Sequence, residues 1–139
     1  MNVQAIIRTR MASQTGLTSL IGGSAARIFP ESRAQDSPLP AVVFGINNEE
    51  ALKTMKGAKA WKADLEVVAV AATAATAQQV ALQVVKALDA YSGEDASTRV
   101  LHSLHSRSVT AYMAPQAGEA SGVYLHTTVF SVMYEPKPA

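Results

Sequence analysis

Residues 61–72 read WKADLEVVAVAA, and their alternation decides the fold. Trp61, Ala63, Leu65, Val67 and Ala69 take one side of an extended chain, while Lys62, Asp64 and Glu66 take the other. A period of two marks a strand with one buried face and one wet face. Val68 and Val70 then bring apolar groups to the second side, so the strand is predicted to pass from half-exposed to buried on both faces.

Upstream of it, residues 41–47 (AVVFGIN) have the β-branched and aromatic content of a strand, and 26–30 (ARIFP) form a shorter one stopped by proline. The Ser-, Ala- and Pro-rich stretch 31–40 reads as a loop. Residues 47–59 are polar, with Gly57 among them, and are predicted to be a long hairpin connection. At the N-terminus Val3, Ile6, Ile7, Met11, Leu17, Leu20 and Ile21 recur at helical spacing over 2–21. Gly22-Gly23 ends that helix, and Gly16 is a point at which it could break in two.

Downstream, Thr73 or Thr76 is predicted to cap a second helix, Thr76 with Gln79 fitting a capping box. Its buried stripe is Val80, Ala81, Val84, Val85 and Leu88, and Tyr91-Ser92-Gly93 closes it. Strands follow at 99–112 and, most clearly, at 123–134 (VYLHTTVFSVMY). The expected architecture is one α+β domain over 1–139. Its sheet is mostly antiparallel, of about five strands in the order α-β-β-β-α-β-β, with two helices on one face.

Composition narrows the function classes. With 48% apolar and 17% charged residues the chain has the makeup of a folded protein, and a net charge of +1 gives no reason to expect a polyanionic partner. The absence of cysteine removes disulfides, thiolate metal sites and thiol nucleophiles. No stretch approaches the ~20 apolar residues of a membrane span, and no signal-peptide core follows Arg8 and Arg10, so a soluble protein that works inside the cell is expected.

The sequence carries no recognisable catalytic constellation. His102 and His105 sit three apart in a strand, which sends them to opposite faces, and His126 lies in another strand. Asp64 and Glu66 share a face, as a pair of glycosidase carboxylates could, but Lys62 shares it too and a solvated or subunit-facing surface accounts for all three. Gly22-Gly23-Ser24 follows a helix and cannot cradle phosphate at a helix N-terminus. No catalytic residue, metal or cofactor is expected. Lys53, Lys56, Lys59 and Lys62 form a basic stripe at spacing three, without aromatics for base stacking apart from Trp61.

Taken in order, the helix running into 17–23, Ala26-Arg27-Ile28-Phe29-Pro30, the loop closing in Leu39-Pro40-Ala41-Val42-Val43-Phe44, the strand 63–71, the helix 77–88 and the closing strand 122–134 resemble the tail-completion (tail-terminator) family of long-tailed bacteriophages. The resemblance implies a non-enzymatic virion protein, made in the host cytoplasm. It would sit as a ring, commonly hexameric, on the head-proximal end of the tail tube, stop tube polymerisation and face the head connector. Its partners would be copies of itself, the tail-tube protein and the head connector or neck protein, with DNA merely passing through. A neck or head-completion protein is the nearest alternative, and a small cellular ligand-binding domain a more distant one. Under this reading Glu31, Arg33, Asn47, Glu49, Glu50, Lys53, Lys56 and Lys59 are candidate assembly residues, and Lys62, Asp64 and Glu66 candidate channel-facing ones.

Overall fold

The computed structural model describes residues 3–23, 25–31, 38–54, 57–115 and 122–136; at 25, 53, 54 and 57–59 it describes the backbone alone. The fold is α+β. Helix α1 (Val3–Ala12) leads into the short α2 (Thr15–Thr18) and a 3₁₀ turn at Ser19–Ile21. After a second 3₁₀ turn come β1 (Ile28–Pro30), β2 (Ala41–Thr54), β3 (Gly57–Ala71), helix α3 (Ala74–Leu88), β4 (Tyr91–Glu94), β5 (Thr98–Met113) and β6 (Val123–Pro136). The strands form one sheet in the order β1-β2-β3-β6-β5-β4. All neighbours are antiparallel except β1 and β2, which run parallel.

The alternation of residues 61–72 is realised. Ala63, Leu65, Val67 and Ala69 are buried beside Val42 and Phe44 of β2 and Phe130 and Val132 of β6. Against that face pack Val80, Ala81, Val84, Ala87 and Leu88 of α3, with Ile6, Ile7 and Met11 of α1 and Leu17 of α2. Thr73 caps α3 by accepting from the Thr76 backbone N–H at 3.2 Å, so of the two threonines the first is the cap. Gly22, at φ 90°, closes the N-terminal helical segment, and the Gly23 N–H reaches back to the Thr18 carbonyl at 2.8 Å. Arg10 of α1 ties the other end of α3: its Nε donates to the Ala87 carbonyl at 2.8 Å and its guanidinium lies 4.9 Å from the centre of the Tyr91 ring.

Four expectations need correction. The sheet has six strands, because Tyr91–Glu94 does more than end α3: it pairs with β5 as an edge strand too short to show a period. The N-terminal helix breaks at Ser13-Gln14 and not at Gly16, and with α3 this gives three α-helices where two were expected. Residues 26–30 are only partly strand, the first two belonging to the 3₁₀ turn. Most consequentially, 47–59 is no loop. β2 runs on to Thr54 and β3 starts at Gly57, so the polar stretch is a two-stranded ribbon. Its alternation is broken by irregularities between Asn47 and Glu50 and between Leu52 and Lys53, with Asn48 held at φ 55°.

Phe130 is fully buried at the centre of the helix-side face. Phe130→Ala is expected to lower the unfolding free energy by about 3–5 kcal/mol, measured by urea denaturation.

Candidate assembly surface

The helices cover one face of the sheet; the other carries most of the residues singled out from sequence. Pairing registers place them in rows. Glu50, Lys62, Met133 and His102 form one row; Asn47, Asp64, Ser131 and Leu104 the next; Gly45, Glu66, Val129 and Arg107 the third. Below these the face turns aliphatic, with Val43, Val68, Thr127 and Val109, then Ala41, Val70, Leu125 and Ala111. Asp64 accepts a hydrogen bond from Asn48 Nδ2 at 3.0 Å, which fixes the carboxylate beside the ribbon's irregularity. Val129 is buried although no helix lies over it, flanked in its row by the long side chains of Glu66 and Arg107.

Lys62, Asp64 and Glu66 therefore do share a face, and Asn47 and Glu50 join them across β2. That face is mixed in charge, because Arg107 enters the row of Glu66. Glu49 leaves the group. It lies on the helix side, where its carboxylate accepts from the hydroxyl of Tyr134, whose ring stacks on Trp61 at 6.4 Å. Glu31 ends β1 at φ 68°, donates its N–H to the Phe44 carbonyl at 2.8 Å and accepts from Gln4 Nε2. Arg33 and Lys56 lie outside the described residues, as do the side chains of Lys53 and Lys59.

Sequence reasoning missed the margins of the sheet. β4 accompanies β5 only as far as Ser103, and the next outward N–H, that of His105, is taken by the Asp89 carboxylate at 2.9 Å. After an irregularity between His105 and Arg107, the strand runs in regular register to Met113 with β6 on one side and no described strand on the other. Along it Val109 and Tyr112 are each 56% exposed and Met113 43%. β2 has the matching gap: β1 pairs with it only at Val42, Val43 and Phe44. The only signal in the sequence was the large apolar residues of 99–112, whose alternation the irregularities obscure.

No catalytic constellation appears among the described residues. His102 and His105 take opposite faces, and His105 Nε2 lies 3.0 Å from Ser108 Oγ while His126 Nδ1 lies 3.3 Å from Thr110 Oγ1. No three His, Asp or Glu side chains converge as metal ligands among these residues. A depression of about 120 Å³ between α1 and β4 and one of about 210 Å³ beside Phe44 are smaller than ordinary ligand pockets. A third, of about 420 Å³ along β4 and β5, is an open shelf.

The model of a family described as "Tail completion protein gp17" matches residues 5–124. Among solved structures, a chain of the "Virion of native gene transfer agent (GTA) particle" has the same fold: TM-score 0.71, 18% identity, covering 96% of this chain and 94% of that one. No curated protein matches.

Burial, and then the Glu49 carboxylate, hold the Tyr134 phenol well above the ordinary tyrosine value of ~10. In the unfolded chain the phenol ionises first, so its contribution to stability is intact below about pH 10 and lost as pH rises beyond it. Spectrophotometric titration of the four tyrosines is expected to show one that ionises late. Tyr134→Phe should remove that late step and flatten the alkaline loss of stability.

Proposed function

The chain belongs to the tail completion protein gp17 family, with a part in virion tail assembly, and from that premise we propose that it is the structural subunit of a ring capping the head-proximal end of the tail tube. The ring ends tube polymerisation and offers its other side to the head connector, and it performs no catalysis. The observation that carries this reading is the pair of unlike strand margins on opposite sides of one sheet, β2 beyond Phe44 and β5 beyond His105. Contacts between unlike patches repeat around an axis until they close. The chain of like fold in a gene transfer agent virion supports placing such a subunit in a particle.

With the helices outside, the open sheet face lines the channel. Asp64 and Glu66 repel phosphate, and the half-buried Val68 and Leu125 offer DNA nothing to bond. DNA then passes without adhering.

Light scattering of the purified protein, alone and with its tail-tube partner, is expected to give a closed ring of about six subunits, free or on the tube end. A monomer that ignores the tube defeats the reading. In rings that assemble normally, Asp64→Lys/Glu66→Lys should slow DNA passage; ejection at the unmodified rate removes the channel assignment.

A further inference from the structure

We propose that β5 of one copy and β2 of the next pair antiparallel, edge to edge, with Arg107 set beside the neighbour's Glu50, so that the sheets of all copies join into one closed barrel. The proposal rests on the ring reading and specifies its contact.

Three observations lead to it. The first is the character of the β5 edge. Soluble proteins blunt free edges with lysine, proline, bulges or covering loops. Here the irregularity and the Asp89 carboxylate guard only the stretch next to β4. From Arg107 to Met113 the strand is regular, carries one charge, and leaves Val109, Tyr112 and Met113 largely exposed. Aromatic, methionine and arginine side chains are the types enriched where proteins meet.

The second is polarity. Four strands, β2-β3-β6-β5, lie between and including the two margins that have no partner strand among the described residues, each antiparallel to the next. An even number makes β5 antiparallel to β2, so copies related by rotation continue the alternation across every junction. Pairing β5 with β5 of a second copy would instead close a two-fold dimer, bring Arg107 towards its own equivalent and leave β2 bare.

The third is charge and register. Residues 104–113 hold Arg107 and no acid, whereas 45–52 hold Glu49 and Glu50 and no base. Arg107 and Glu50 both lie on the open face, Arg107 in the row of Glu66 and Glu50 in the row of Lys62. Setting one beside the other shifts each copy by the four residues between those rows, ~14 Å along the strand, for a width of four strands, ~19 Å. The slope is ~36°, inside the ~35–45° tilt at which strands close into barrels.

The chain contains no cysteine, so introduced ones report unambiguously. Residues directly opposite across an antiparallel pair are ~4.5–5.5 Å apart at Cα, within disulfide reach. Arg107→Cys/Glu50→Cys is expected to give, on oxidation, a covalent ladder up to the full ring, and neither single variant a ladder. Arg107→Glu and Glu50→Arg should each reduce the particle to monomers in light scattering, and the double reversal should restore the ring. Circular dichroism and Trp61 fluorescence, unchanged in the exposed-site variants, separate lost assembly from lost folding. If the unmodified protein forms rings but the double-cysteine variant does not link and Arg107→Glu leaves the mass unchanged, the strand pairing is wrong and the ring reading stands. Arg107→Cys linking to itself as dimers overturns the pairing in favour of the two-fold contact. An unmodified protein that forms no ring, free or on the tube, overturns both.

Discussion

The structure depends on a mismatch of lengths. Helix α3 has 15 residues and spans ~22 Å, whereas β5 has 16 and spans ~54 Å. The apolar contact between α3, α1 and the face made by Val42, Phe44, Leu65, Val67, Phe130 and Val132 is what holds the molecule together, but the helices can cover only part of such strands. The remainder must overhang. At one end β2 and β3 run on as a polar ribbon; towards the other, where the four long strands end nearly flush, β5 carries exposed aliphatic and aromatic groups.

Where the helices cover the sheet, the sequence was readable. The alternation of 61–72, the stripe of α3 and the β-rich run 123–134 all face a core, and a core imposes period. In the overhangs nothing imposes it. The ribbon 47–59 read as a loop because both its faces tolerate polar residues, and its register breaks at Asn47 and at Leu52 scrambled what alternation remained. β4 escaped because four residues alternating between half-buried and exposed carry too little pattern.

The candidate residues divided along the same line. Lys62, Asp64 and Glu66 were legible as a set, since strand geometry alone puts them on one face. Glu49 was not separable from Glu50 in sequence; the bulge turns one towards Tyr134 and leaves the other on the open side. Arg107 could not be joined to the face of Glu66 before the pairing of β5 with β6 was known, because that proximity spans two strand pairings. The family resemblance was legible in the order of elements, to which residues 5–124 answer as a whole.

The bond from the Asp89 carboxylate to the His105 N–H has a further consequence. Backbone ladders are indifferent to sliding by two residues, because every second position looks alike. Asp89, fixed at the end of α3, occupies a rung that a strand slipping towards β4 would need. It acts as an end stop: whatever adds to β5 is halted at one place by a helix terminus. The free stretch of β5 therefore begins where the end of a core-packed helix sets it.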